Sequence, residues 1–532
     1  MEKQFENIYQ MFENTVSLKE DKPSYFERIE DKWIATSWNE LKSLSDKFAM
    51  ALLESGISQN GTLSILASNR LVWPVSDLGT IAAGGISVGL YPTNSPDQCE
   101  YILNHSESQF VVVDTKDQLQ KILKIQKNVP SLKKIIFSEA DTKLTNEYGE
   151  MVVSFNDFLN LGASHKNKWW ENYQRIAHSR KYEDTVIIVY TSGTTGQPKG
   201  ACLSNRYVLS SCESLLILAL DFLKSSVPEM VKLKEHEDFV TLSFLPYCHV
   251  GERISGMYNR LYSGTACYLI DNIMKLYQYM LEVNPQTFGG LPRFFEKVYA
   301  KVMNEVEMEK GYTKQDFQKA IAIRKEAKEL IKKDITLPEK LQKDMAWAEE
   351  NVCKKIRSNF GSRIIVCSSG AAPIPQEVLD MFEYAANMPI LEGYGLTEFV
   401  CCAFSTAKAH KANSVGKNMY GCEIKIAEDG EILLKGPQMF SGYYKDDEAT
   451  KETINEDGWL MTGDIGKLDE DGFLYITGRK KEFIKTSTGK KIAPLFMENL
   501  CKRNHLISNV MVYGDNKKYL VALVTLNQIE LT

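Results

Sequence analysis

The sequence has no arrangement of cysteine or histidine that would hold a structural metal ion. Its eleven cysteines include no C-x-x-C pair, and its seven histidines include no H-x₃-H pair. Structural zinc sites are built from such closely spaced pairs. We therefore expect free, buried thiols in a reducing cytosol and no structural zinc.

A large excess of charge and a long apolar run are also missing. The net charge of −6 gives no global field that would attract nucleic acid or anionic lipid. No run reaches the ~18 apolar residues of a membrane span, and residues 1–20 are too charged for a signal peptide. We expect a cytoplasmic protein that binds no nucleic acid, with peripheral membrane contact and oligomeric state left open.

The length and the spacing of apolar runs predict an α/β protein with more than one folding unit. A chain of 532 residues is long enough for ~3 to 4 domains. Short β-branched runs alternate with helical stretches, which is typical of parallel sheets covered by helices. These runs lie near Leu63, Val111, Ile135, Ile187 and Ile364.

Residues 299–357 depart from this alternation. They are densely charged and poor in glycine, and their apolar residues keep helical spacing. We predict surface helices that each pack one apolar stripe. A coiled coil is the less favoured alternative, because Gly311 and Pro338 interrupt the pattern.

The last part of the chain contains hairpin signals. Asp-Gly pairs at 429–430 and 471–472 predict tight turns between short strands. We expect a large α/β domain at 1–478, with a β-rich part at about 421–478. The start of a small, incomplete α+β domain follows at 479–532.

Residues 190–200, YTSGTTGQPKG, have the composition of a phosphate-binding loop. Glycines let the backbone approach an anion, hydroxyls donate hydrogen bonds, and Lys199 supplies a cation. The preceding TVIIVY predicts a buried strand, and we expect a helix after Gly200 with Ser204 or Asn205 as its cap. A flexible surface loop is the alternative for this stretch taken alone.

A Walker loop does not explain the same residues. Counted from Gly193, that pattern needs glycine at 198 and Ser or Thr at 200. The chain has Pro198, which lacks an N–H, and Gly200, which lacks a hydroxyl for Mg²⁺. Only Lys199 fits the pattern.

Later stretches supply the other groups that a nucleotide needs. In LEGYGLTE, Tyr394 could stack on a base, Thr397 could donate to a phosphate, and Glu398 could hold Mg²⁺. In MTGD, Asp464 could accept from both ribose hydroxyls. A basic run, ITGRKKEFIKTSTGKKIAP, begins at residue 476, and its lysines alone would indicate a solvated surface.

In this order, the motifs resemble those of the adenylate-forming superfamily of acyl-CoA synthetases, adenylation domains and luciferases. YTSGTTGQPKG is similar to the family's phosphate loop, YGLTE to its adenine and metal motif, MTGD to its ribose motif, and GRKKEFIKTSTGKKIAP to its hinge. LPYCHVGERI, FGGLPRFFEKVY and the charged helices are similar to long-chain acyl-CoA synthetases. The resemblance covers essentially the whole chain and implies ATP, Mg²⁺ and coenzyme A as cofactors or co-substrates.

The resemblance also implies residue roles. His249, Thr397 and Glu398 would act at the reacting carboxylate, α-phosphate and Mg²⁺, although His249 alone indicates a structural histidine. Lys481 would lie nearest the hinge. The implied nucleotide-binding residues are Thr191, Ser192, Gly193, Thr194, Thr195, Gly196, Lys199, Gly370, Ala371, Ala372, Tyr394, Gly395, Thr397, Asp464 and Arg479.

This chain departs from the family's pattern at the acyl tunnel and at the C-terminal lysine. Gly289, Gly290, Leu291 and Pro292 match the tunnel motif, and the gating position, often tryptophan, falls on Phe295, for which core packing is the simpler alternative. Family members extend some tens of residues further and carry a lysine that contacts the carboxylate. We expect this chain to lack that lysine, with Lys485 as a candidate replacement.

Three hypotheses follow. The first is a long-chain fatty acid–CoA ligase that forms an acyl adenylate from the acid and ATP. The second is an acyl-adenylate ligase that loads a carrier protein, although no insertion restraining the C-terminal module is evident. The third is a non-catalytic fatty-acid or nucleotide-binding relative.

Overall fold

A computed structural model describes residues 4–138, 148–191, 197–226, 239–333, 335–370, 372–406, 409–487, 491–492, 494–502 and 506–526. Within these ranges the largest sheet has eight strands and a parallel centre. Buried cores lie against it, because its central strands are apolar throughout. In sheet order, the strands are Gly442–Tyr443, Lys199–Ser204, Thr185–Thr191, Ile86–Gly89, Thr62–Leu66, Phe110–Val113, Lys134–Phe137 and Val152–Ser154.

The predicted helix with its Ser204 cap is present, but a strand that we did not predict precedes it. Lys199–Ser204 is antiparallel to Thr185–Thr191 and lies between the loop and the helix. Ala201 and Leu203 are buried, and this short alternating run pairs at its other side with Gly442–Tyr443. The helix begins only at Asn205, where the Ser204 hydroxyl accepts from the Tyr207 N–H at 3.3 Å.

Three further sheets surround the central one. The first combines Val240–Ser243, Ala266–Leu269, Pro23–Ile29 and Lys32–Ser37. The second combines Thr287–Gly290, Val366–Ser369, Ile390–Tyr394, Ala403–Phe404 and Lys417–Asn418, so the strand expected near Ile364 begins two residues later. The third, an antiparallel sheet, contains Glu423–Ile426, Glu431–Lys435, Leu460–Leu468 and Leu474–Arg479. Both predicted Asp-Gly hairpins are present in this last sheet.

Helices cover these sheets. The α-helices are Ile8–Lys19, Trp38–Glu54, Val72–Ala82, Pro96–His105, Lys116–Ile125, Phe155–Ser164, Lys166–Ser179, Asn205–Ser226, Asn259–Ser263, Leu276–Val283, Pro292–Glu307, Lys314–Lys332, Glu339–Ala348, Lys354–Arg357, Gln376–Asp380, Asp447–Thr453 and Pro494–Lys502. Gly251–Tyr258, Glu349–Cys353 and Met381–Ala385 are π-helical, and Gln126–Asn128, Ile273–Lys275 and Lys480–Glu482 form 3₁₀ turns. Of the helices described, each is too short or too polar to cross a membrane.

The charged segment 299–357 is helical, as predicted. Its helices bury single stripes against a second core, and the buried residues include Val302, Val306, Ala320, Ala327 and Val352. The remaining faces are exposed and rich in ion pairs such as Lys343–Glu339. These helices therefore extend the layer that covers the second sheet.

The C-terminal residues form small elements beside this body. Ile484–Lys485 pairs with Lys491–Ile492, and Ile507–Tyr513 pairs with Val521–Leu526. The helix Pro494–Lys502 packs against Ile507–Tyr513. This mixture of helix and strands agrees with the predicted α+β character.

Candidate functional site

A cavity of about 1820 Å³ lies where the parallel strands of two sheets end. Gly89, Gly290, Ser369 and Tyr394 each end a strand, and all four line the cavity. The carboxyl ends of parallel strands are the usual place for a ligand in α/β proteins. The fold therefore directs several unrelated loops toward one space.

Most of the predicted site residues meet on this wall. Those lining the cavity are Thr191, Lys199, His249, Gly289, Gly290, Leu291, Gly370, Tyr394, Gly395, Thr397, Glu398, Arg479 and Lys481. Six others, Ser192, Gly193, Thr194, Thr195, Gly196 and Ala371, lie outside the described residues. The wall does not include Pro292, Phe295, Ala372, Asp464 or Lys485.

The two residues that flank the predicted phosphate loop are held in place by strand pairing. Thr191 pairs with Lys199 across the hairpin. The Lys199 ammonium lies 3.9 Å from Asp446 Oδ2 and 5.3 Å from the centre of the Tyr443 ring. It is 41% exposed, so an anion in the cavity can approach its charge.

Glu398 presents a carboxylate to the same space. The Tyr443 hydroxyl donates to Glu398 Oε1 at 2.5 Å, and the Glu398 carbonyl accepts from the Phe440 N–H at 2.8 Å. The Tyr207 hydroxyl donates to the preceding Thr397 carbonyl at 2.9 Å. Both backbone carbonyls are thus tied to neighbouring elements, which fixes the turn that carries the carboxylate.

The donor set near Glu398 fits a magnesium ion carried in by a nucleotide. Among the described residues, no group of three or more His, Cys, Asp or Glu side chains could form a protein cage for a metal. Mg²⁺ does not need such a cage, because it keeps waters and is often held by one or two carboxylates and substrate phosphates. Glu398 and the Thr397 hydroxyl would be its protein partners.

Asp464 occupies a more enclosed corner. It is 3% exposed, its Oδ2 accepts from the Tyr394 hydroxyl at 2.5 Å, and its Oδ1 lies 3.0 Å from Arg479 Nε. Burial raises the pKa of Asp464 above its ordinary value, while Tyr394 and Arg479 oppose that rise. Tyr394 thus lies on the cavity wall and also holds the carboxylate with its hydroxyl.

His249 projects into the cavity from a turn. The backbone N–H of His249 donates to the Pro246 carbonyl at 3.0 Å. The backbone N–H of Gly251 donates to His249 Nδ1 at 3.1 Å, so the proton of the neutral ring is on Nε2. The side chain faces the cavity, and because protein surrounds the cavity, bulk water has limited access to the ring. The resulting desolvation lowers the pKa of His249 below 6.5, so the ring is neutral at pH 7.

A buried ion pair that the sequence analysis did not identify supports this turn. Arg253 and Asp77 are both fully buried and bonded to each other, and the Tyr258 hydroxyl also donates to Asp77. Arg253 donates to the Ser87 hydroxyl at 2.7 Å. The pair joins the His249 turn to the central sheet.

Another part of the cavity wall is apolar. One side of the helix Asn205–Ser226 supplies Leu215, Leu218, Ala219 and Phe222 to the wall. Such a surface suits the hydrocarbon part of a ligand. The cavity is therefore lined both by polar groups and by leucine and phenylalanine residues.

Phe295 lies behind the cavity wall. It is 0% exposed, and its ring packs edge to face against Phe294 and Phe382, with centroids 5.6 and 5.4 Å apart. The same ring lies close to Gly290, where an added Cβ would be 3.2 Å from it. The described geometry therefore has Phe295 in core packing, the simpler of the two interpretations.

The two candidate lysines of the C-terminal region differ in position. Lys481 lies on the cavity wall in the turn Lys480–Glu482. Lys485 is exposed, and its backbone N–H donates to Asp515 Oδ1 at 3.0 Å. In the described arrangement, Lys485 is not on the wall.

Tyr443 and Asp446 are site residues that the sequence analysis missed. They belong to SGYYKDDEAT, a stretch with no glycine loop or spaced carboxylate pair to indicate a ligand. Only strand pairing brings residue 443 next to residue 201. The contacts with Lys199 and Glu398 follow from that pairing.

Comparisons with known proteins indicate the family of this chain. The sequence model of the AMP-binding enzyme family matches residues 12–444, and that of the AMP-binding enzyme C-terminal domain matches residues 481–530. The chain is 33% identical to a long-chain-fatty-acid–CoA ligase of Xenopus laevis, covering 98% of this chain and 69% of the relative. A human protein named as the same type of ligase is 31% identical, with 98% and 70% covered.

The fold is also found in solved structures. The anthranilate CoA ligase in complex with anthranoyl-AMP superposes with a TM-score of 0.73 at 18% identity, covering 99% of this chain and 88% of that one. At this identity the match concerns the fold. The family match over most of the sequence, together with the two ligases of 33% and 31% identity, shows that the chain belongs to the AMP-binding enzyme family, the adenylate-forming enzymes, and is a ligase.

Proposed function

We propose that this ligase activates a long-chain fatty acid with ATP to an acyl adenylate and then forms an acyl-CoA. The observation that carries the proposal is a single cavity that reaches from Glu398 and Tyr394 to Leu215, Leu218 and Phe222. A fatty acid needs both an apolar channel and a place where its carboxylate meets a phosphate. The names of the two relatives, which both specify long-chain fatty acids, support the same substrate class.

In the first step, a carboxylate oxygen of the fatty acid attacks the α-phosphorus of ATP. An oxygen–phosphorus bond forms, the bond to the bridging oxygen breaks, and pyrophosphate leaves with the electron pair. Lys199 would attract the phosphates, Asp464 and Arg479 would bind the ribose, and Tyr394 would contact the adenine. These groups act by positioning and by charge stabilisation.

His249 suits the carboxylate end of the fatty acid. Its neutral ring carries a proton on Nε2, which can donate a hydrogen bond to a carboxylate oxygen without forming a tight ion pair. A tight ion pair would hold the nucleophile in the ground state and slow its attack. Bound Mg²⁺ would neutralise charge on the phosphates, with Glu398 as its protein ligand.

In the second step, a CoA thiolate attacks the acyl carbonyl and AMP leaves with the electron pair of the carbon–oxygen bond. The Lys480–Glu482 turn lies at the cavity wall, between the β-rich sheet and the C-terminal elements. We propose that this turn, with Lys481, is the hinge for the reorganisation between the two steps. We further propose a cytoplasmic location.

The test is a product assay with purified protein, MgATP, palmitate and coenzyme A. We expect palmitoyl-CoA, AMP and pyrophosphate in equal amounts, measured by mass spectrometry and a coupled pyrophosphate assay. Omitting coenzyme A should leave only a slow release of pyrophosphate with enzyme-bound palmitoyl-AMP.

Chain length is the internal control. Acetate and octanoate should react more slowly than palmitate, because they leave the leucine-lined end of the cavity empty. Palmitate that yields neither adenylate nor thioester would contradict the proposal. Equal rates with all three acids would contradict the long-chain assignment alone.

A further inference from the structure

Tyr443 touches both charged groups that would face the phosphates. Its hydroxyl donates to Glu398 Oε1 at 2.5 Å, and its ring lies beneath the Lys199 ammonium at 5.3 Å. Lys199 begins a strand of the central sheet, whereas Glu398 lies in the turn after the strand Ile390–Tyr394 of another sheet, far from Lys199 in sequence. Tyr443 is the side chain through which these two groups are connected in the described structure.

The backbone around Tyr443 is tied to both partners. Tyr443 pairs with Ala201 in the strand that begins at Lys199, and Met439 forms a bridge with Phe399, next to Glu398. The Tyr443 N–H donates to the Thr450 hydroxyl at 2.8 Å. This residue therefore has little freedom to move away from either charged group.

The two contacts of Tyr443 are chemically different. The hydroxyl donates to an anion, whereas the negative face of the ring attracts a cation. An ionised carboxylate can only accept a hydrogen bond, so the Tyr443 hydroxyl is the donor in this contact. In the described residues, this is the hydrogen bond that fixes the orientation of the Glu398 carboxylate.

We propose that Tyr443 is a positioning residue, which orients the Glu398 carboxylate toward a nucleotide-bound Mg²⁺ and aligns it with Lys199. The inference rests on the proposed use of MgATP. Groups that orient a metal ligand typically change metal affinity ~10-fold to 100-fold when removed. Because Tyr443 contacts Glu398 and not the nucleotide, its hydroxyl should affect ATP binding only when Mg²⁺ is present.

The experiment compares ATP affinity with Mg²⁺ and with EDTA by calorimetry. Tyr443→Phe removes the hydroxyl and retains the ring over Lys199. Tyr444→Phe is the matched control, because its side chain lies next in sequence but makes no contact with Glu398 among the described hydrogen bonds. Thermal unfolding of all three proteins establishes that each is folded.

We expect Mg²⁺ to strengthen ATP binding in the wild-type protein and in Tyr444→Phe to the same degree. In Tyr443→Phe, that enhancement should fall about tenfold, while the affinity in EDTA stays unchanged. A merely structural role would weaken binding in both conditions, and this result would overturn the inference.

The remaining outcomes separate this inference from the proposed function. Wild-type protein that binds no ATP in either condition would overturn both. Wild-type protein that binds MgATP, with the same Mg²⁺ enhancement in Tyr443→Phe, would overturn the role of Tyr443 alone.

Discussion

Asp464, which lies behind the cavity wall, and Glu398, which lies on it, are two carboxylates that the protein holds in different ways. Asp464 is almost fully buried and contacts Tyr394 and Arg479 with its two oxygens. Glu398 is half-buried on the cavity wall, and its one described side-chain hydrogen bond comes from Tyr443. One carboxylate is enclosed by protein, and the other keeps an open side.

This difference indicates different uses. An enclosed carboxylate with fixed partners is preorganised to bind a neutral group such as a ribose in the same way throughout a reaction. A carboxylate with an open side can take a metal ion whose charge matters most as pyrophosphate leaves. Asp464 should therefore contribute mainly to ATP binding, and Glu398 mainly to the rate of the adenylation step.

The largest effect should come from Glu398→Gln. The variant loses the negative charge that holds Mg²⁺ but retains the size of the side chain, so we expect adenylation to slow by ~10²- to 10³-fold. ATP binding in EDTA should change little. Single-turnover formation of acyl adenylate measures the rate, with the exposed Glu448→Gln as control. An unchanged rate would show that Glu398 does not act in this step.

Asp464→Asn should produce the converse result. Each charge-assisted hydrogen bond contributes ~1.5 kcal/mol or more, so we expect ATP binding to weaken by about 10- to 100-fold. The rate at saturating ATP should fall much less. Calorimetry and single-turnover kinetics separate the two quantities, and the exposed Asp457→Asn is the control. If Asp464→Asn slows adenylation as much as Glu398→Gln does, the comparison between the two carboxylates fails.

The sequence placed both carboxylates among the candidate site residues because the signal for each is local. Glycine, hydroxyl and carboxylate groups occur within a few residues in YGLTE and MTGD, and each short stretch predicts one role. The alternating apolar runs likewise predicted the central strands, since burial on both faces selects β-branched residues. Local composition was sufficient for these elements.

Other features depend on contacts between distant residues. The strand Lys199–Ser204 was not predicted, because its apolar alternation is short and one of its two strand partners, Gly442–Tyr443, lies far along the chain. Tyr443 and the Asp77–Arg253 pair gain their roles only when separate elements meet. No periodicity within either segment indicates these contacts.

A third carboxylate, Glu392, is also held away from the cavity, but no cation forms an ion pair with it among the described residues. It lies on the same strand as Tyr394, its Oε1 accepts from the Ile374 N–H at 3.3 Å, and burial raises its pKa to about 7. His410 opposes that rise. Unlike Leu391 and Gly393 beside it, Glu392 is not on the cavity wall.

The raised pKa gives Glu392 a defined effect on stability. Below its ordinary pKa of 4.5, Glu392 is protonated in both the folded and the unfolded protein, and its full contribution to the free energy of unfolding is present. As the pH rises toward and through 7, Glu392 ionises readily in the unfolded chain but not in the folded protein, so the free energy of unfolding falls. Glu392→Gln stays neutral and should gain about 2 kcal/mol relative to wild type between pH ~5 and pH ~8.

Urea unfolding at both pH values measures this change. The exposed Glu377→Gln provides a control on the neighbouring helix Gln376–Asp380. Equal pH dependence in wild type and Glu392→Gln would mean that Glu392 ionises at its ordinary pKa, and that it is as well solvated as a surface carboxylate.

The smallest effect should come from Tyr394→Phe, which removes one of the two partners of Asp464 and retains the ring on the cavity wall. Arg479 still holds the other carboxylate oxygen, so we expect ATP binding to weaken only about threefold at neutral pH. The hydroxyl also helps to keep the Asp464 pKa down. Its loss should therefore raise that pKa, and the deficit in ATP affinity should grow as the pH falls.

Calorimetry at pH ~7.5 and ~5.5 tests both points. Tyr475→Phe is the matched control, because Tyr475 donates to Asp469 at 3.3 Å within the same sheet but away from the cavity. A deficit that stays constant with pH would mean that the Tyr394 hydroxyl does not influence the ionisation of Asp464.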